Sequence, residues 1–184
     1  MPVQNFDNPQ PSELFLELKS KYHIQTEYLK KLSPNYKNRC WDILRFWLGI
    51  MQEKMSQDKG EISFEIYRRC KSELEFVPRY ELRFLCDVCR LFHGVNEKLT
   101  NLVWEDILLK IDEKGHAGDF ADPLPAFIEL AFDLNRIDSG NKLFFINLIT
   151  NTLNQPNMYE KLNLDIEAME KYLKILKKWF LLES

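Results

Sequence analysis

The segment PRYELRFLCDVCRLF, residues 78–92, is apolar on two sides at once. Wound at 3.6 residues per turn, it sets Leu82, Leu85, Cys86, Cys89 and Phe92 along one side. Phe84, Val88 and Leu91 line the other. A helix that is apolar nearly all round needs neighbours on several sides, so it belongs at the centre of a core. Pro78 stands at its start, where the missing backbone N–H does no harm, and His93-Gly94 breaks the chain behind it.

The flanking segments read as the helices that surround this one. Upstream, Cys40, Leu44, Trp47, Leu48, Met51 and Met55 form one helical face. Ser33-Pro34 starts that helix with a hydroxyl at the cap and a proline at the first helical position. The polar run Ser56 to Gly60 separates it from a helix over Ile62 to Phe76, with the stripe Phe64, Tyr67, Cys70 and Leu74. Before both, Ser12 caps a helix that turns Leu14, Phe15, Leu18 and Tyr22 inward.

Downstream, Thr100 is expected to cap a helix carrying Val103, Trp104, Ile107, Leu108 and Ile111. Residues 113–122 read as a flexible loop. Asp122-Pro123 then restarts a helix with Phe127, Ile128, Ala131 and Leu134 inside. Asp138-Ser139-Gly140 turns it into a helix over Leu143 to Leu153, Gln155-Pro156-Asn157 breaks the chain, and a terminal helix runs from about Asp165 to Leu182. No β-alternation of useful length occurs. The expected class is all-α, a bundle of seven to eight helices. Helix pairs begin near Asn35, Tyr80 and Leu124, and the last helix near Ile166, a spacing of about 43 residues that also suits two-helix repeats. Residues 1–11, with three prolines, read as an extended tail, and 12–184 as a single helical domain.

Composition narrows the function classes. The 184 residues are 45% hydrophobic and 13% aromatic, enough apolar surface to rule out intrinsic disorder. A chain of this length buries about 70% of its unfolded surface, which suits one domain. The net charge is -3. The first sixty residues hold 9 basic and 7 acidic side chains, and residues 61–122 hold 9 and 13, so no basic patch for a phosphate backbone is concealed. Nucleic acid is therefore a poor partner. No apolar run reaches the roughly 18 to 20 residues that span a bilayer, and MPVQNFDNPQPS lacks the marks of a signal or transit peptide. Four cysteines (Cys40, Cys70, Cys86 and Cys89) sit in apolar helical patterns, which points to free thiols in the cytoplasm.

Several constellations suggest chemistry. Cys86-x-x-Cys89-x-x-x-His93 puts two sulfurs and an imidazole on one helical stripe, and Cys70 on the preceding helix is a fourth candidate zinc ligand. A second close ligand pair is missing, and buried cysteine packs as a small hydrophobe, so the expectation is no metal and no cofactor. Asp133-x-Asn135 with Asp138-Ser139-Gly140 imitates a calcium loop, but Ile137, Asp138 and Phe144 fall where an oxygen, a glycine and a glutamate are needed. Glu113-x-x-His116 is half of a di-iron motif whose other half is absent. His116, Asp119 and Asp122 share a loop without pairing a base with a nucleophile. No phosphate loop, nucleophile elbow or HExxH motif occurs, so no enzyme is expected.

The terminal helix offers a partner-binding reading. Ile166, Met169, Leu173, Leu176 and Phe180 make an apolar seam, with Tyr172, Ile175 and Trp179 as a second line beside it. One seam docks the helix on its own domain, and Tyr172, Ile175 and Trp179 are candidate anchors for a protein partner. Lys171, Lys174, Lys177 and Lys178 add a basic strip, from which Lys171 and Lys178 are the candidate contacts. The expected function is a non-catalytic helical protein–protein interaction module, an adaptor or a subunit of a larger assembly. An RNA-binding helical-repeat module and a helical domain with a Cys/His metal site are the alternatives.

Overall fold

The computed structural model describes residues 13–25, 36–74, 78–114, 124–154 and 166–183. Among them run eight α-helices and no strand: α1 (Glu13–Tyr22), α2 (Tyr36–Lys54), α3 (Glu61–Leu74), α4 (Pro78–Phe92), α5 (Glu97–Lys114), α6 (Leu124–Asp133), α7 (Lys142–Leu153) and α8 (Ile166–Glu183). The fold is an all-α helical bundle, as the apolar periodicity predicts. Four expected features lie outside the described residues: the tail 1–11, the Ser12 cap, the Ser33-Pro34 start and the Gln155-Pro156-Asn157 break. So do Asp122-Pro123 and most of the expected loop 113–122. At that loop's first two positions there is a correction, because α5 continues through Glu113 and Lys114.

The helices lie in two layers. In one, α2 packs on α4, α4 on α6, and α6 on α8; α3 and α5 lie against α2 and α4, and α7 lies against α8. Tyr67 and Lys71 of α3 reach Asp106 of α5 at 2.7 and 2.5 Å, so these two helices are also tied to each other. At its beginning, α1 packs on α3 and is held by the pairs Arg69–Glu17 (2.8 Å) and Lys21–Glu65 (2.7 Å). Tyr22 donates a further hydrogen bond to Glu65, whose carboxyl these two donors hold below its ordinary range. Helices of the first layer begin at Tyr36, Pro78, Leu124 and Ile166, close to the interval of about 43 residues read from the sequence.

Helix α4 occupies the centre, in contact with α2, α3, α5 and α6. Leu82, Phe84, Leu85, Cys86, Val88, Cys89 and Phe92 are all buried, so both of its apolar sides are covered. Among the described side chains of α4, those that meet solvent are Arg83, Asp87 (in part), Arg90 and part of Leu91. The stripe of α2 is wider than its spacing suggests, because Phe46 and Ile50 are buried beside Leu44, Trp47 and Met51.

The start of α5 differs from the expectation. Thr100 does not cap α5: it is buried inside the first turn, where its hydroxyl donates back to the Asn96 carbonyl at 3.0 Å. The cap is Asn96, whose Oδ1 accepts from Leu99 N at 3.2 Å while its Nδ2 donates to the Lys59 carbonyl at 3.1 Å. Asn96 therefore fastens α5 to the corner between α2 and α3.

That corner is tight. Asp58, Lys59 and Gly60 all have positive φ, of 47, 52 and 85°. A Cβ at Gly60 would stand 3.2 Å from both Met55 Sδ and Phe92 Cε1. Gly60→Ala is expected to cost about 2 kcal/mol, from the left-handed backbone plus this crowding against the end of α4. Urea unfolding measures it, and a loss below about 0.5 kcal/mol would mean the corner relaxes freely.

Candidate functional site

The sequence-derived ligand set Cys70, Cys86, Cys89 and His93 does not converge. Cys70 is buried and donates to the Tyr67 carbonyl at 3.3 Å, and Cys89 to the Thr100 carbonyl at 3.7 Å. His93 faces solvent and pairs with Glu97 one turn on, at 3.1 Å. Among the described residues no three His, Cys, Asp or Glu side chains gather as a cation site would require. Burial pushes the Cys86 thiol far up, and the Cys89 thiol up to about 11, so both sit in the core as neutral thiols. The Cys40 side chain lies outside the described residues, as do His116, Asp119 and Asp122.

The false calcium loop proves to be two helix ends. Asn135, at φ 53°, closes α6, with Arg136 N donating to the Ala131 carbonyl at 2.8 Å. Asp138 Oδ1 accepts from Gly140 N (2.8 Å) and Asn141 N (3.0 Å), and Asn141 Oδ1 accepts from Asp138 N at 2.8 Å. These oxygens are spent on starting α7.

The terminal helix behaves as a lid on the end of the core. Met169 and Leu176 are buried and Leu173 is half-buried, so the first seam docks the helix on its own chain. The second line is largely engaged as well. Tyr172 stacks on Phe132 of α6 (centroids 5.5 Å apart, 23° between planes), and Trp179 meets the same ring edge-on at 5.3 Å. Ile175 is half-buried between them, and Trp179 stays 38% exposed. Lys171, Lys174, Lys177 and Lys178 face solvent with Glu167 and Glu170, a mixed charged surface.

A different surface departs from the norm. Helix α7 has no charged residue beyond Lys142, which is buried, and the next charge in the chain is Glu160. Its outer face is Leu143, Asn147 and Asn151, with Ile146 and Thr150 half-exposed beside them. Between α7 and α5 lies an open groove of about 480 Å³, lined by Glu105, Leu108, Leu109, Asn141, Phe144 and Phe145. Leu109 is 61% exposed on one wall and Leu143, next to Phe144, is 58% exposed on the other helix. Leu102, two turns before Leu109 on the same stripe, is 38% exposed. Water-facing helices usually carry charge; a face of Leu, Ile, Asn and Thr has the charge depletion typical of an interface centre.

Phe145, which lines the groove, belongs to a column of stacked rings beneath it. Phe127 of α6 is sandwiched between Trp104 of α5 (5.5 Å, 26°) and Phe145 of α7 (5.5 Å, 24°). Phe144 meets Phe145 edge-on at 5.3 Å. Three helices are thus set by one column of rings, and the spacing of α5 and α7 follows from it.

No helix among the described residues is long and apolar enough to cross a membrane. Comparison of the chain with protein-family models, curated proteins and solved structures finds no match.

Proposed function

We propose that this chain is a non-catalytic helical docking module, an adaptor or assembly subunit, whose partner lies along the α5–α7 face. The observation that carries this reading is the uncharged, half-apolar outer face of α7 beside a groove walled by Leu108, Leu109 and Phe144. The occupant that fits is an amphipathic helix of another protein. Its apolar residues, one turn apart, would fill the groove, and a lysine or arginine beside them would meet Glu105, the single charged residue among the described residues of the lining. The free buried thiols Cys70, Cys86 and Cys89 support a reducing, cytoplasmic setting. The exposed edge of Trp179 and the lysines of α8 are proposed as a secondary contact at most, since Tyr172 and Trp179 already hold Phe132.

Hydrogen exchange on the native complex, compared with the isolated chain, tests the assignment. Slowed exchange confined to residues 102–109 and 143–151 supports it. Protection confined to α8, or strong salt-dependent binding of RNA with no protein partner, would replace it with another reading.

A further inference from the structure

We propose that, when no other protein is bound, the outer face of α5 docks on the same face of a second copy of this chain, antiparallel about a two-fold axis. Resting on the reading of α5 and α7 as a docking face, this pairing names what covers the α5 side before the partner arrives. Lys98, Leu102, Glu105 and Leu109 are all exposed and follow one another at steps of 4, 3 and 4, a single stripe along α5. Val95, in the turn before the helix, is 43% exposed and extends the spacing, so that exposed apolar residues recur at 95, 102 and 109. This heptad interval is the one by which two helices keep a common seam.

The two charges between the apolar positions select the occupant. Lys98 and Glu105 stand two turns apart, about 10 Å along the axis, too far to pair within one helix. Their neighbours three and four residues away, Gly94, Val95, Asn101, Leu102, Leu108 and Leu109, carry no charge. A second α5 laid antiparallel, with the two-fold axis beside Asn101 and Leu102, sets Lys98 of each copy against Glu105 of the other. It also brings the two Leu102 side chains together at the axis and each Leu109 over Val95 of the other copy. A parallel pairing would oppose lysine to lysine and glutamate to glutamate, which like-charge repulsion disfavours. The second copy thus supplies a lysine to Glu105, a residue of the α5–α7 groove, and competes with any other occupant there. The contact is small, so the dimer is weak and a tighter partner displaces it.

Sedimentation equilibrium of the full chain over a concentration series tests this. Half-dimerisation is expected near about 0.1 mM, with monomer at about 1 μM. Lys98→Glu and Glu105→Lys, each alone, turn both cross-pairs repulsive and should weaken the dimer about tenfold. Carried together in one chain, or mixed as two single variants, they restore opposite charges across the axis and should return the affinity to within about twofold of the parent. Both sites are exposed, and lysine and glutamate have similar helix propensity, so the fold accepts the exchange. A chain still monomeric at about 1 mM overturns the proposal, as does a dimer that neither single exchange weakens. Slowed exchange of residues 102–109 in the native complex, from a chain that stays monomeric by itself, removes the self-pairing and leaves the docking reading in place.

Discussion

Phe127→Ala is expected to remove about 3–5 kcal/mol of folding stability. The ring is fully buried and stacks on Trp104 and Phe145 at 5.5 Å on either side. Its loss leaves a void that α5, α6 and α7 cannot all close, because each is also held by packing elsewhere: α5 by α4, α6 by α4 and α8, α7 by α8. Against a typical total of about 5–15 kcal/mol, such a loss removes a large share of the fold's margin. Denaturant unfolding reads it directly. A cost below about 1 kcal/mol would show that the ring column does not set the spacing of the second layer. Phe127→Leu, which keeps most of the volume, should recover more than half of the loss.

The second large effect falls on binding rather than stability. Leu109→Asp combined with Leu143→Asp is expected to weaken the native protein partner by about 30-fold or more. Both side chains are more than half exposed, so the folded chain should change by no more than about 0.5 kcal/mol at each position. The loss on binding arises because two carboxylates must be desolvated against an apolar ridge, with Glu105 adding repulsion from the groove wall. Lys174→Glu on α8 should leave the same affinity within a factor of about two, since it lies on a mixed, hydrated surface. Equal loss from both variants would mean that general charge, not the groove, governs the association.

Asp87 makes the stability of the fold depend on pH. Burial raises the Asp87 carboxyl in the folded chain, so its charged form opposes folding. The penalty is absent below the unfolded value near 3.8, sets in as pH rises through the folded value, and is complete above it. Asp87→Asn should therefore raise the melting temperature at pH 7 and leave it unchanged near pH 3.5. A variant less stable than the parent at neutral pH would show that Arg83 and Arg90 depend on that carboxylate.

How far the sequence discloses this depends on the kind of signal. The central place of α4 is legible because both of its apolar sides are written in one segment of fifteen residues. The start of α5 is not, because Thr100 looks like a cap in isolation. What displaces it is Asn96, whose side chain also reaches Lys59, a contact that exists only once the α2–α3 corner has folded. The seam of α8 is legible, yet the engagement of Tyr172 and Trp179 with Phe132 depends on how α6 and α8 cross. The candidate docking face is legible in one respect only, the uncharged run between Lys142 and Glu160. That run reads equally well as a buried helix. Only the exposure of Leu143 and Asn147 on the face of α7 turned away from α8 and the core turns an apolar helix into a surface.

The most direct measurement places a photoreactive residue at position 109 or 174 of the full chain and irradiates the native complex. The docking account requires that position 109 crosslinks to one discrete helical segment of the partner, through apolar residues spaced three or four apart, and that position 174 does not. Crosslinks from position 174 to that partner, with position 109 silent, would contradict it.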